Sequence, residues 1–451
     1  MIAGRLRALP ERYGKRTLIA LALIAALGLA VRAYAVVNPV ANPADDSHAY
    51  YALSKALYEE GSFGGPEFRD SSDWSPGAPF LYAAAFYATG GAREGTARVV
   101  EALLGVAMIL VVFALGRKLG RDRGRFVGLF AAFLVAVYPP FLHTTGELMS
   151  EPPAMLTLPA AILAFLWASE RSSTWAWLAP GFLFGLTAMF RPEYLLVGAA
   201  FVVLAAIRIW REREWRLSLA GAAVLLFAIV MPILPWTIRN VVVLDRLVPI
   251  STGGGKALYV GTFLPADGEY QRVKAILYER QTGRSLPPFS QALNEVNPTP
   301  LFNRVARHYP DLPRDSALGR IGKENFSKYF GEDPLGYLAM TARKVGRIWS
   351  SGVGEAMDTS AGRAVQILLV LLGVAGLAVL ALWRRWWELV ALAAPIVLVT
   401  LVGAVTLATP RRNEVLMTLI FPLAGLALSL AVAAIFSDRE WSPEQASSPP
   451  N

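Results

Sequence analysis

The 451-residue chain reads as an all-α polytopic membrane protein with about ten transmembrane helices, interfacial helices and an external hydrophilic segment. Three observations predict this. Hydrophobic residues make up 55% of the chain against 17% charged, too apolar for an ordinary soluble domain. The apolar residues fall in long runs rather than in scattered amphipathic stripes. Those runs approach the roughly 20 residues that cross a hydrocarbon core about 30 Å thick.

Taken in order, spans are expected at 17–36, 96–115, 126–141, 153–168, 175–190, 194–209, 217–236, 365–382, 389–408 and 415–436. Lys and Arg collect at the N-terminus (Arg5, Arg7, Arg12, Lys15, Arg16) and in the connections 117–125, 208–216 and 383–387, which the positive-inside bias makes cytoplasmic. Segment 76–90, PGAPFLYAAAFYATG, is too short and too interrupted by Pro and Gly to span. Counting it would also place 117–125 outside, so it reads as re-entrant or interfacial. Both termini are then cytoplasmic. The first run is close to 20 residues long, and Arg32 with the acidic helix beyond it suits an anchor better than a cleaved signal. Residues 438–451 are polar and Pro-rich and read as a disordered tail. No cysteine occurs, which excludes disulfides, thiol catalysis and Cys-ligated metal.

This topology gathers charges on the external face: Asp45 and Asp46, Glu147 and Glu151, Arg191 and Glu193, Arg239, the hydrophilic 240–363, and Arg411 with Arg412. In 42–63, NPADDSHAYYALSKALYEEGSF, Tyr50, Leu53, Leu57 and Tyr58 recur at helical spacing, and Asp46 or Ser47 can cap the first turn. Two adjacent carboxylates repel and only one can sit on a cap. The functional alternative is a general base that takes a proton from a hydroxyl, or a metal ligand. Glu147 and Glu151, four apart in HTTGELMSEPP, are either solvated charges near a helix N-terminus or a second acidic group for a metal or an acceptor.

Arg191 and Glu193 in FRPEYLL fit an interfacial turn with a snorkelling Arg, or a planar fork for an anionic group. In PWTIRNVVVLDRLVPISTGGGKALYVGT a span is expected to end at Trp236. Arg239 and Asn240 follow, then hydroxyls, backbone N–H groups and the Lys256 ammonium. GGGK lacks the spacing of a nucleotide P-loop, so the expectation is a phosphate or pyrophosphate site at headgroup level. His48, His143 and His308 are too scattered for a zinc motif, and a required transition metal is not expected. A divalent metal bridged by Asp, Glu and one His from distant segments stays open.

Read in order, these segments resemble the GT-C membrane glycosyltransferases, in particular bacterial members of the family related to protein O-mannosyltransferases and aminoarabinose transferases, glycosyltransferase family 39. The resemblance rests on Asp45, Asp46, Tyr50, Gly61 and Phe63 after the first span, on the Pro-Gly-x-Pro-aromatic segment 75–80, on Glu151 before a Pro, on the Arg-Pro-Glu turn 191–193, and on PWTIRN with VPISTxGG and Tyr-x-Gly over 235–261. It implies a GT-C fold, with a catalytic transmembrane module at 1–239 that includes a first external loop at 37–95. An extracytoplasmic loop or small domain at 240–363 and C-terminal spans at 364–437 would follow. It also implies a polyprenyl-phosphate-linked sugar donor and transfer on the extracytoplasmic face of the cell membrane. The chain departs from the pattern where Asp46 replaces a common Glu, where GGGK replaces Asn-Gly-Gly and an apolar residue, and where TPRRNE replaces an Arg-Tyr pair, so that Arg411 or Arg412 is a weaker carry-over.

The resulting expectation is a single inverting displacement with Asp46 as base, Asp45 being the other candidate, and with Arg191, Arg239 beside Asn240, and Lys256 holding the departing polyprenyl phosphate. A transporter or flippase of polyprenyl-linked glycans is the alternative of another class, against which stand the absence of an inverted repeat and the acids clustered at one surface. A noncatalytic lipid-phosphate-binding protein is the third. The acceptor, whether glycan, lipid or protein, has no pattern in 240–363. Helical 315–349, with Lys323, Arg343, Lys344 and Arg347, suits the anionic surface of a bilayer better than nucleic acid.

Overall fold

The structure, a computed structural model, describes residues 14–39, 45–64, 72–211 and 215–437. Arg5, Arg7, Arg12 and the tail 438–451 lie outside the described residues, as do the side chains of Asp45 and of 208–218. Every regular element among the described residues is helical. Seven apolar runs are long enough to cross a membrane. They begin with α1 (Lys15–Val37), after which α2 (Asp45–Glu60) and α3 (Gly77–Thr89) lie outside the set of spans. At 13 residues α3 reaches about 20 Å, too short to cross, in keeping with an interfacial 76–90.

The second run, Glu94–Val137, is two helices rather than one. α4 (Glu94–Gly120) turns at a short 3-10 segment into α5 (Gly124–Val137), and the two fold back on each other. Glycine makes the close approach possible: a Cβ on Gly128 would sit 2.7 Å from the Phe113 carbonyl oxygen. Then come α6 (Pro139–Thr145), α7 (Glu151–Ala168), α8 (Leu178–Phe190), α9 (Tyr194–Arg211) and α10 (Trp215–Leu244). Helix α8 completes the 17-residue apolar stretch Thr174–Phe190, and Gly181 and Gly185 let it lie against the α10 backbone at Leu225 and Ile229.

The break between α5 and α6 shows how a membrane helix is interrupted without stranding its polar groups. Pro139 and Pro140 carry no N–H, so the carbonyls of Val135 and Ala136 lose their helical donors. Arg32, fully buried in α1, supplies the replacement, donating from Nη2 to Val135 O at 2.8 Å and from Nη1 to Ala136 O at 3.4 Å. Gly105 makes the room, since a Cβ there would lie 2.0 Å from Arg32 Nε. Arg32, which in the sequence bears only on whether the first run is cleaved, is a structural tie.

α10 does not end at Trp236 as the sequence suggests but continues two turns to Leu244, carrying Arg239 and Asn240 on a helix instead of in a loop. The following turn is strapped back onto it: Trp236 Nε1 donates to Ile250 O at 2.6 Å and Asn240 Nδ2 to Val248 O at 2.9 Å. The hydrophilic segment, expected to be external, packs α11 (Gly254–Thr262), α12 (Tyr270–Thr282), α13 (Pro298–Ala306), α14 (Arg314–Glu332) and α15 (Pro334–Ser350). Its own core includes Tyr259, Phe263, Val273, Phe302 and Leu318. The helical expectation for 315–349 holds, broken at Asp333 and Pro334.

α16 (Ser360–Leu382), α17 (Trp386–Val405) and α18 (Arg411–Ser437) are the last three of the seven runs, and α8 and α9 lie in two shorter apolar stretches. The external helices are fastened to these last spans. Lys344, expected at a headgroup surface, is instead fully buried and donates to Gly261 O at 2.8 Å and Ala404 O at 2.7 Å. Gly261 packs against Thr406 so closely that a Cβ would lie 2.2 Å from its carbonyl carbon. Asn413 donates to Ser351 O at 2.7 Å. The turn that carries Arg411 is thereby set by the external segment.

Candidate active site

Asp45 and Asp46 are the first two residues of α2, so Asp46 lies inside the helix and does not cap it. Its Oδ2 accepts from Arg411 Nη1 at 2.8 Å. Arg411 Nε donates to Glu151 Oε1 at 2.8 Å, and Arg191 Nη1 reaches the same oxygen at 2.5 Å. Arg191 Nη2 donates to Glu193 Oε1 at 2.7 Å, and Arg412 Nη1 stands 3.9 Å from that oxygen. Three carboxylates and three guanidinium groups thus alternate from Asp46 to Arg412, formally neutral. Glu151 is wholly buried, whereas 44% of the Asp46 side chain is exposed. Asp46 is the exposed end of the row.

Local sequence explains the placement. Glu151 opens α7 with Pro152 and Pro153 behind it, where a missing N–H removes no helical bond. Arg191 closes α8 and Glu193 precedes α9, so the Arg-Pro-Glu turn aims two opposite charges at one place. Gly77, in the Pro-Gly-x-Pro motif, lets α3 abut this turn: a Cβ there would be 2.8 Å from the Met189 carbonyl oxygen. Burial alone would lower the Arg191 pKa, but Glu193 and Glu151 outweigh it and raise it above the ordinary value. Burial likewise opposes ionisation of Glu193, and Arg191 with Arg412 reverses that, holding it below the usual carboxylate range.

A second buried group supports the turn before Glu151. Glu101 Oε1 accepts from the Met149 N–H at 2.9 Å, and the Tyr82 hydroxyl lies between that carboxyl and the Met149 carbonyl, 2.7 Å from the latter. Ser150 in turn donates to Glu151 Oε2 at 3.2 Å. Glu147 stands apart from the row, buried and 3.7 Å from His143 Nε2.

Lys256 is near enough to Asp46 to feel its charge. Burial takes its ammonium below the ordinary lysine range, Asp46 opposing and Arg314 adding to the fall. Its Nζ lies over the Tyr270 and Phe302 rings, 5.2 and 5.4 Å from their centroids. Gly255 serves packing: a Cβ there would meet the Asp315 carbonyl oxygen at 1.8 Å, and Asp315 Oδ1 already accepts from the Lys256 N–H at 3.0 Å. Thr252 and Arg314 both bond Asp73, tying this segment to the chain before α3.

Arg239 and Asn240 part company. Asn240 is fully buried with its amide on the Val248 and Ile250 carbonyls. Arg239 instead lines a cavity of about 1060 Å³ formed between the end of α2, α3, α8 and α10. It donates to Phe63 O at 3.0 Å and stacks over Trp236, 4.8 Å from the ring centroid. The remaining walls are chiefly apolar, among them Leu57, Phe80, Leu186 and Phe190, the neighbour of Arg191 in the chain.

Among the described residues no three His, Asp or Glu side chains converge as metal ligands. Asp46 and Glu151 converge on the Arg411 guanidinium, which supplies positive charge at the point between them. Arg411, the weaker carry-over of the sequence, stands at the centre of the charged row, and Glu101 lies within an apolar run; their signals in the sequence are the TPRRNE turn and one acid inside a span.

Residues 73–236 match the family model described as dolichyl-phosphate-mannose-protein mannosyltransferase. No curated protein sequence matches the chain. The archaeal oligosaccharyltransferase AglB from Archaeoglobus fulgidus, in complex with an inhibitory peptide and a dolichol-phosphate, is similar at a TM-score of 0.56 and 15% identity, over 98% of this chain and 53% of that one. This chain thus spans about half the length of that enzyme. ArnT from Cupriavidus metallidurans, bound to undecaprenyl phosphate, matches at a TM-score of 0.42 and 13% identity, over 94% of this chain and 81% of that one. The family match thus covers residues 73–236, and the chain as a whole shares the GT-C fold of a multi-pass membrane protein.

Proposed function

We propose that the chain is an integral-membrane glycosyltransferase that moves a hexose or pentose from a polyprenyl-phosphate donor to an acceptor on the extracytoplasmic face, with inversion and with Asp46 as general base. The observation that carries this reading is the pairing of an exposed carboxylate on a charged row with a large apolar cavity that ends on Arg239 and begins one residue from Arg191. A polyprenyl tail needs such apolar walls and its phosphate needs a fixed cation. The dolichol-phosphate held by the similar A. fulgidus protein is in keeping with it.

The acceptor oxygen attacks the anomeric carbon on the side opposite the phosphate. As the new carbon–oxygen bond forms, the bond from the anomeric carbon to the phosphate oxygen breaks, and polyprenyl phosphate leaves with that electron pair. The acceptor proton passes to Asp46. Arg411 orients the Asp46 carboxylate, Arg239 and Lys256 stabilise the charge growing on the phosphate, and Arg191 holds Glu151 and Glu193 in place. Asn240 assists through Arg239, whose Nη1 donates to its Oδ1 at 3.1 Å. The basic connections face the cytoplasm with both termini, and the charged row faces outward at the cell membrane.

The test incubates the purified protein with polyprenyl-phosphate-linked mannose, arabinose, galactose and aminoarabinose in turn, with glycan, lipid and peptide acceptors. Release of polyprenyl phosphate together with a glycosylated product of inverted anomeric configuration is expected for one donor. Binding of donors without any turnover, or transbilayer movement of the intact donor, overturns the reading.

A further inference from the structure

At the other end of the bundle lies a second cavity, of about 510 Å³, where α4 and α7 finish and the turn 383–385 joins α16 to α17. The 27 residues of α4 separate it from the charged row by about 40 Å. Four cations line it, Lys118, Arg121, Arg384 and Arg385, against two carboxylates, Glu170 and Glu388.

The two pairs differ in what holds them. Lys118 Nζ bonds Glu170 at 2.6 Å, and Arg385, buried in the floor, bonds Glu388 at 2.7 Å and also the carbonyls of Lys118 and Leu119, which end α4 without helical partners. Arg121 and Arg384 are exposed, and neither side chain has a hydrogen bond or ion pair among the described residues. Both have positive φ, 50° and 55°. Such angles are uncommon outside glycine and Asn, and residues held in them gather at ligand sites. Two separate chain reversals thus each bring to one cavity a guanidinium with no partner among the described residues.

The remaining walls show at what level this cavity sits. Trp383 and Trp386 are exposed beside it, as Trp is at a membrane–water boundary, and Leu166 and Ile207 from α7 and α9 form its apolar side. Basic cavities between spans at this level suit phosphorylated headgroups. A phosphodiester would take the two unpaired guanidinium groups as a fork, leave the existing ion pairs intact, and let acyl chains run down the apolar helices.

We propose that this cavity binds the phosphate headgroup of an anionic phospholipid, at the face of the membrane opposite the charged row. It is independent of the sugar-transfer reading, and no residue of that machinery takes part.

The full chain, purified in neutral detergent, is titrated with phosphatidylglycerol, with phosphatidylcholine and with inorganic phosphate, and bound ligand is counted by native mass spectrometry. The variant is Arg121→Asn with Arg384→Asn, which removes both charges, and its fold is checked by equilibrium unfolding beside the unaltered chain. Phosphatidylglycerol should bind the unaltered chain at least about 10-fold more tightly than phosphatidylcholine, and the double variant should lose that preference. Arg123→Asn, an exposed cation of the same turn outside the cavity, should keep it. Unchanged preference in the double variant, or equal loss in Arg123→Asn, overturns the assignment. Competition by millimolar inorganic phosphate as effective as by the lipid makes the ligand a soluble phosphate and overturns the lipid.

Discussion

Removing Arg411 should destabilise the protein by an amount that a compensating change at Glu151 recovers. In Arg411→Met the row keeps three carboxylates and two guanidinium groups. Asp46 loses its partner but is 44% exposed, and an exposed pair contributes about 0–1 kcal/mol, so its share is small. The loss falls on Glu151, wholly buried, which keeps only Arg191 and the Ser150 hydroxyl. Leaving a buried charge without one of its partners costs about 3–5 kcal/mol. Adding Glu151→Gln restores neutrality, with Asp46 and Glu193 against Arg191 and Arg412, and the double variant should lose about 2 kcal/mol less than the sum of the single variants. The assay is equilibrium unfolding in mixed micelles titrated with sodium dodecyl sulfate and followed by tryptophan fluorescence. A loss below about 1 kcal/mol for Arg411→Met, or effects additive within about 0.5 kcal/mol, would refute the charged row as a cooperative unit.

Three further outcomes are expected. Lys344, taken down to about 7 by burial and then by Arg347 and Arg412, titrates near 10.5 when unfolded. Between those values the unfolded chain binds more protons, so stability rises with pH through this window and the full penalty applies below it; relative to Lys344→Met, the unaltered protein should gain stability from about pH 6 to about pH 9 in the same unfolding assay, and a flat difference contradicts this. Gly261→Ala should move the turn that carries Arg411 and lower transfer at least about 10-fold with the donor KM little changed, because its Cβ would overlap Thr406; unaltered turnover counts against that coupling. Glu101→Leu should lower turnover by freeing the Met149 N–H and shifting Glu151, whereas Glu101→Gln, which keeps an acceptor there, should retain most of it, and equal losses in both would remove the positioning role.

Much of this architecture is legible in the chain because hydrocarbon imposes a simple rule. The seven long apolar runs and the two shorter ones follow from run length, and the shortness of α3 from the Pro and Gly that bound it. The end of α10 is not legible, since Arg239 and Asn240 look like loop residues until Asn240 is seen bonding a turn eight to ten residues further on. Arg32 is opaque for a related reason: it serves two prolines more than a hundred positions away. In the site, Glu151, Arg191 and Glu193 are each visible as charges beside a Pro at a span end. Arg411 meets Asp46 across 365 positions, a pairing between the first turns of α2 and α18 that exists only in the folded chain. The GGGK segment suggested a phosphate cradle, yet its Gly255 is needed for helix contact with Asp315.

The most direct test of the central claim is the turnover of Asp46→Asn with the donor that the unaltered protein accepts, with Asp45→Asn run beside it. With the fold verified by unfolding, Asp46→Asn should turn over about 10²- to 10⁴-fold more slowly, the usual contribution of a positioned base, while Asp45→Asn retains most activity. Full transfer by folded Asp46→Asn, or the large loss falling on Asp45→Asn instead, would contradict the assignment of Asp46 as the base.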